Sequence, residues 1–351
     1  MNESRRMSFD ILRIIAAFSV VLLHACGNII CRYPFGNPLF NGANFIDSVS
    51  RYGVPIFVMI SGALFLDKSK KTDIKRLWLH SILRLFVIYV LWSVIYYLFM
   101  ENANPAEAIK GKSIAVIING VLHADEYLWF FLMLIALYAL SPVFKKWTET
   151  ASRKDVEYFL TVFIVFGIVI NTVVILTDSY TLSQIAGKLY LVEDIGYLGY
   201  FVLGYYLTNY EISAKVRRFI YISLPFDIVI NYLSSYFLSV KRGEYNPGVY
   251  DSFGLFTFLE TVAIFIAVMS AFDNGKIKGR AASIIKNIAK DTLGVYLLHE
   301  IILDKVGIAG LSEANPITVL WVIPYAIALF AVCAVISEIL RRIPVVGKYI
   351  C

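Results

Sequence analysis

The chain has 351 residues, of which 59% are hydrophobic and 17% charged, with a mean hydropathy of +0.70 and a net charge of +6. Soluble domains carry about 25% charged residues, so the composition excludes an ordinary water-soluble protein and points to an all-α polytopic transmembrane bundle. The cations lie in short segments between apolar runs, without a basic patch interleaved with aromatics, which argues against nucleic acid as a partner.

Ten apolar segments follow in order, near residues 9–28, 52–67, 77–99, 127–145, 157–177, 193–209, 217–238, 253–272, 289–304 and 317–340. A membrane-spanning helix needs about 20 apolar residues, and the second, sixth and ninth segments are short or interrupted by Pro55, Gly196 and Gly294. The first segment reads as a retained helix and not a cleaved signal, because Arg13 falls inside its apolar run and His24 precedes the small residue poorly for cleavage. Between the segments, residues 29–51 read as an outer loop rich in Pro, Gly and Asn, and residues 106–122 as an apolar stretch on the outer interface. Residues 238–252 read as an external turn region. Nothing marks a second unit, so residues 1–351 form one domain. Cysteines 26, 31, 333 and 351 show no metal-ligand spacing and are expected as free thiols.

With ten spans and a cytoplasmic N terminus, both termini are cytoplasmic. Twenty-two of the 32 Lys and Arg residues then fall on inner segments and eight on outer ones, alternating loop after loop. This is the positive-inside pattern, and it makes the net charge a property of topology in a lipid bilayer.

The ionisable residues inside spans carry the functional reading, because charge in hydrocarbon is costly. Arg13 and His24 are eleven residues apart, about three turns plus 20°, so they share one face roughly 16 Å apart along the axis. Asp10, one turn before Arg13, can pair with it. Arg84, Lys75 and Arg76 lie toward the cytoplasmic side. His24 lies toward the outer half and needs a partner on its other ring nitrogen; Glu260, Asp227 and Glu126 are the candidate carboxylates. The Ser61-Gly62 pair suits close helix packing or the approach of a ligand to backbone. Tyr296 and His299 form an i,i+3 pair in the ninth segment, and Trp129 leads the aromatic run Trp129-Phe130-Phe131.

Phe9-Asp10-Ile11-Leu12-Arg13 followed by ten residues and His24 resembles the Arg-x10-His signature of the acyltransferase-3 family. Further stretches match in order: Phe57-Val58-Met59-Ile60-Ser61-Gly62, then Lys75-Arg76 with Arg84. Leu128-Trp129-Phe130-Phe131 with Tyr138 and Ser141-Pro142 follows, and then Gly294-Val295-Tyr296-Leu297-Leu298-His299. The resemblance spans nearly the whole chain. It departs from the family pattern at Glu126-Tyr127, where His often precedes Leu-Trp, and at Glu300, where Pro often follows the late His.

The resemblance implies an enzyme of a bacterial cytoplasmic membrane. It would transfer an acyl group, commonly acetyl, from acyl-CoA (acetyl-CoA) to a hydroxyl of an envelope glycan or lipid-linked sugar, with no metal. Arg13, Asp10, Arg84, Lys75, Arg76 and Ser61 would serve the donor, through bidentate arginine and point-charge lysine contacts to phosphate. His24 would act as general base, and Trp129, Glu126, Tyr296 and His299 would line the site. Two other readings compete: a transporter or flippase of an amphipathic glycan with Arg13 and His24 in its pathway, and a non-catalytic partner in a glycan-assembly complex.

Overall fold

The first apolar run forms one unbroken helix, α1 (Met7–Arg32), and the rest of the bundle packs around it. The computed structural model describes residues 6–71, 73–100, 105–123, 128–189, 191–273, 277–344 and 347, and among these all regular structure is helical. After α1 come α2 (Pro38–Ser48), α3 (Gly53–Phe65), α4 (Ile74–Phe99), α5 (Pro105–Ile109), α6 (Ile114–His123) and α7 (Trp129–Thr150). Then follow α8 (Arg153–Thr177), α9 (Tyr180–Leu189), α10 (Leu191–Asn209), α11 (Ala214–Arg242), α12 (Leu255–Phe272), α13 (Gly279–Val306) and α14 (Val322–Arg342).

Seven stretches among the described residues are long and apolar enough to cross a membrane: α1, residues 38–65, α4, α7, α8, α12 and Pro316–Arg342. The remaining expected spans, near 193–209, 217–238 and 289–304, fall within helices α10, α11 and α13, outside that set of seven. The outward faces of α4 (Trp78, Leu79, Leu83, Phe86, Val90) and α11 (Phe219, Ile222, Phe226, Val229, Phe237) are apolar and exposed. An exposed apolar stripe at helical spacing suits contact with lipid.

Two local features correct the sequence reading. Residues 38–48, expected as outer loop, are helical because Asn37 caps α2, its side chain accepting from Leu39 N–H, and Pro38 fills the first helical position. The second segment is accordingly a broken pair, α2 plus α3. Pro55 does not interrupt α3, since it sits in the first turn, where its missing N–H has no intrahelical partner to lose. As expected, Cys26, Cys31 and Cys333 are free thiols; Cys351 lies outside the described residues. The stretch near 106–122 contains α6, whose Ile114, Val116, Ile118 and Leu122 are exposed.

Helix α1 joins two apolar cores. Phe9, Leu12, Ala16 and Val20 belong to the larger, shared with α3, α4, α7, α8, α10, α12 and α13. Val21, Ala25, Cys26 and Ile29 belong to the smaller, shared with α2, α13 and α14. The tightest approach is between α3 and α10. A Cβ on Gly62 would lie 1.7 Å from the Phe201 carbonyl oxygen, and one on Gly204 1.9 Å from that of Met59. Each glycine admits the other helix's backbone, the close packing expected of small residues in membrane bundles.

Polar bonds between elements fall into two groups. In one, Ser8 Oγ donates to Asp273 (2.6 Å), Lys145 Nζ to the Lys70 carbonyl, Arg153 to the Glu211 carbonyl (3.2 Å) and Arg341 Nε to Asp291 (3.0 Å). In the other, Tyr250 OH donates to Asn44 (2.7 Å), Tyr200 OH to the Ser252 carbonyl (2.5 Å), and Lys241 (2.8 Å) and Arg242 (2.5 Å) to Asp178. The bonds from Lys241 and Arg242 push the Asp178 carboxyl down to about 2. That clasp is complete above the usual aspartate range and is lost only as the pH falls through about 2.

Gly62→Ala should therefore force α3 and α10 apart and lower stability by about 1–3 kcal/mol, the usual effect of overpacking. Gly27 in α1 faces open space, and Gly27→Ala should leave stability unchanged or slightly raised. Thermal unfolding of the detergent-solubilised protein distinguishes them; equal midpoints for the two variants would contradict the packing argument.

Candidate functional site

At the N-terminal end of α1, Asp10 is fully buried and accepts a hydrogen bond from Arg13 Nη1 at 3.1 Å. Arg13 stands at the junction of two clefts. One, of about 650 Å³, opens beside Arg6, Asp67 and Lys70. The other, of about 510 Å³, runs inward past Ser61, Arg84, Phe130 and Tyr138 to Tyr296. The two share Arg13, Leu64, Ala289 and Lys290, so they lie side by side at Arg13. Their mouth is cationic and the depth of the second is aromatic. Ser61 Oγ donates to the Phe57 carbonyl (3.0 Å), and Phe65 stacks on Tyr138 with ring centroids 4.1 Å apart.

Tyr296 lines this cleft, and its ring packs against Phe130 (5.5 Å), Phe131 (5.9 Å) and His299 (5.9 Å). Behind that ring, α1 and α13 bring three ionisable side chains together. His299 Nε2 lies 3.0 Å from His24 Nδ1, and Glu300 Oε1 lies 3.1 Å from the same nitrogen and 3.6 Å from His299 Nε2. His24 Nδ1 is also 2.9 Å from the Val20 carbonyl, and His299 Nδ1 is 2.6 Å from the Tyr296 carbonyl. His299 and Glu300 are buried, and Glu300 Oε1 has no aligned hydrogen bond. Among the described residues these three side chains also form the one group close enough to share a divalent cation.

Several candidates of the sequence reading are thus gathered around one cleft. Asp10 and Arg13 stand at its mouth, Ser61, Arg84 and Tyr296 along it, and His24 with His299 behind. Others are placed elsewhere. Arg76 lines a neighbouring cleft of about 460 Å³ with Lys70, Lys71 and Lys145, and Lys75 is exposed on the surface. Trp129 is 40% exposed and packs on Tyr197 (5.6 Å), while its neighbour Phe130 lines the cavity. One helical position turns Trp129 about 100° away from the face that Phe130 presents. Glu126 lies outside the described residues.

The carboxylate beside His24 is Glu300, which corrects the search for its partner. Glu260 is buried and accepts from Asn231 (3.4 Å), and Asp227 accepts from Ser223 Oγ (2.9 Å). Both belong to the α11–α12 contact. The sequence offered a signal for Glu300, an acidic residue following a histidine in an apolar segment and replacing a common proline. It passed as a departure from a motif because adjacent helical positions do not usually serve one site.

Removing Arg13 would leave the Asp10 carboxylate buried without its arginine. Arg13→Ala should destabilise the fold by about 1–3 kcal/mol, and adding Asp10→Asn in the same chain should recover most of that loss. Unfolding midpoints of the single and double variants check this, and a double variant no more stable than Arg13→Ala would contradict it.

The model of one family, described as an acyltransferase domain, matches residues 7–338, a range that takes in Arg13, Ser61, Arg84 and the His24–His299–Glu300 cluster. No curated protein and no solved structure matches the chain significantly. The ordered motifs, the apolar helices and the matched range lead to one conclusion: the chain belongs to the acyltransferase-3 family of membrane acyltransferases.

Proposed function

We propose that the protein transfers an acyl group, acetyl in the simplest case, from cytoplasmic acyl-CoA to a hydroxyl of an envelope glycan or lipid-linked sugar, with His24 as general base. The observation that carries this reading is the single cleft lined by the cations Arg13, Arg84 and Lys290 and by the Tyr296 ring, against which His299 and then His24 are packed. Coenzyme A is anionic at one end and carries its thioester at the other. Arginine and lysine at the mouth suit its phosphates, and the aromatic interior suits the pantetheine arm. The roughly 16 Å between Arg13 and His24 along α1 is comparable to the reach of that arm.

In the reaction, His24 Nε2 takes the proton of the acceptor hydroxyl as its oxygen attacks the thioester carbonyl carbon. The carbon–sulfur bond then breaks, the new ester remains on the acceptor, and the CoA thiolate leaves with the proton that His24 returns. General-base assistance of this kind contributes typically 10²–10⁴-fold. On the other side of His24, Asn44, Asp47, Arg51, Tyr245 and Tyr250 form a polar cluster around α2, which suits a polyhydroxylated acceptor.

The proposed setting is the cytoplasmic membrane of a bacterium, with ten spans and both termini inside. The two groups of bonded segments support it. Residues 8, 70, 145, 153, 211 and 273 all belong to inner segments of the ten-span scheme, and residues 44, 178, 241, 242 and 252 to outer ones.

Purified protein in proteoliposomes, given radiolabelled acetyl-CoA and the envelope glycan fraction of the producing cell, should label the glycan. His24→Ala should abolish labelling. Absence of transfer by the wild type, or equal transfer by His24→Ala, sinks the proposal. Arg84→Ala should raise the KM for acetyl-CoA about tenfold or more while kcat changes little, the behaviour of a residue that binds the donor equally in ground and transition states. For topology, single cysteines placed at Ser69 and Glu244 should react with impermeant maleimide from opposite sides; labelling from one side would overturn the ten-span arrangement.

A further inference from the structure

We infer that Glu300 is a positioning residue for His24, holding its imidazole in the tautomer that leaves the lone pair on Nε2 and facing the positive charge that forms when Nε2 takes a proton. This rests on the reading of His24 as general base.

The tautomer follows from the hydrogen-bond geometry. His299 Nδ1 lies 2.6 Å from the Tyr296 carbonyl and 3.1 Å from that of Val295. A carbonyl only accepts, so His299 Nδ1 carries the hydrogen and its Nε2 is the acceptor. That acceptor faces His24 Nδ1 at 3.0 Å, the Val20 carbonyl faces it at 2.9 Å, and Glu300 Oε1 faces it at 3.1 Å. Three acceptors converge on one nitrogen. His24 Nδ1 therefore carries a hydrogen, and the lone pair falls on Nε2.

The second step concerns charge. Neither His299 Nε2 nor the Val20 carbonyl carries a formal charge, so neither balances an imidazolium in a low-dielectric interior. Glu300 does. Its carboxylate is 6% exposed, and Oε1 has no aligned hydrogen bond in the resting arrangement although it stands within ion-pair distance of His24. A buried carboxylate without a compensating charge is unfavourable, and the positive charge that forms on His24 supplies one. Catalytic hydrogen bonds are often poorly aligned before substrate binds and tighten afterwards. His299 has the complementary task. Fixed by its own backbone bonds, it presents one acceptor at a set place, as an outer partner fixes the ring of a working histidine.

The alternative use of the same three atoms is a divalent cation, bound by His24 Nδ1, His299 Nε2 and Glu300 Oε1. Bound there, a cation would require His24 Nδ1 to be without its hydrogen and would put the hydrogen on Nε2, which could then not act as base. The two arrangements exclude each other, so one experiment separates them.

The test is steady-state transfer from radiolabelled acetyl-CoA to the envelope glycan fraction by wild type, Glu300→Gln, Glu300→Asp and His24→Ala in proteoliposomes. Glu300→Gln keeps the shape and removes the charge. It should lower kcat about 10²-fold or more, in the range for loss of one preorganised electrostatic partner, with the KM for acetyl-CoA within about twofold. Its unfolding midpoint should stay at the wild-type value, and Glu300→Asp should recover part of kcat. A Glu300→Gln enzyme with wild-type kcat, beside an inactive His24→Ala, would overturn the role of Glu300 and leave the base intact. An active His24→Ala would instead remove the base reading itself. Wild-type activity lost to a chelator and restored by zinc would overturn the inference in favour of a cation site. A fall in kcat matched by an equal fall in stability, with no recovery in Glu300→Asp, would reduce Glu300 to a structural residue.

Discussion

A buried carboxylate sets the frame for this bundle. Asp10 sits at zero exposure in a chain that reads as membrane-spanning, and the guanidinium of Arg13, one turn on, helps to make that position tenable. The pair cannot face lipid, so the face of α1 that carries it must be covered. That face also carries His24. Covering it requires helices on several sides, and α1 is packed by α2, α3, α12, α13 and α14. The central place of α1 is thus a consequence of its charges. An apolar helix could lie at the rim; this one cannot.

The cover is uneven in a way that creates the cleft. Where α3 meets α10, Gly62 and Gly204 bring backbone against backbone and leave no space. One residue before Gly62, Ser61 is turned about 100° round the helix and lines the cavity with Arg84 and Tyr138. The same short helix therefore seals one side of the bundle and opens the other. This gives the Ser61-Gly62 pair two separate tasks. Glycine permits the seal, while serine satisfies its hydroxyl on the Phe57 carbonyl and adds no bulk to the cavity wall.

Much of this was legible in the sequence, for reasons that can be named. Arg13 and His24 share a face because helical geometry is rigid over eleven residues, and Asp10 pairs with Arg13 because i,i+3 neighbours always lie close. The helices were legible because an apolar segment in lipid must satisfy its backbone internally. What escaped was tertiary. Which carboxylate reaches His24 depends on the rotation of α13 against α1, and no local pattern encodes that rotation. Glu260 and Asp227 were equally plausible as buried acids, yet their bonds stay within the α11–α12 contact. Trp129 illustrates the same limit. An aromatic run cannot say which ring faces inward, and the one-residue difference between Trp129 and Phe130 decides it. The helix at residues 38–48 escaped for a different reason. Its Asn-Pro start was read as turn chemistry, although the same two residues form a helix cap when apolar positions follow at helical spacing.

The placement of the histidine cluster explains why a path from one side should end where it does. If the cavity continued past Tyr296, water would reach His24 from the Arg13 end and, in the proposed reaction, compete with the acceptor for the acyl group. Instead, Phe130 and Tyr296 line the cavity and pack together with Phe131, and His299 packs against Tyr296. In the proposed reaction the thioester must therefore displace or slide beside that ring, so the donor itself would complete the seal as it arrives. A charge on His24 would then form beside the Glu300 carboxylate, which is itself buried and so acts with little screening. In the proposed reaction, the ring of Tyr296 would stand between the route of an anionic donor and the base.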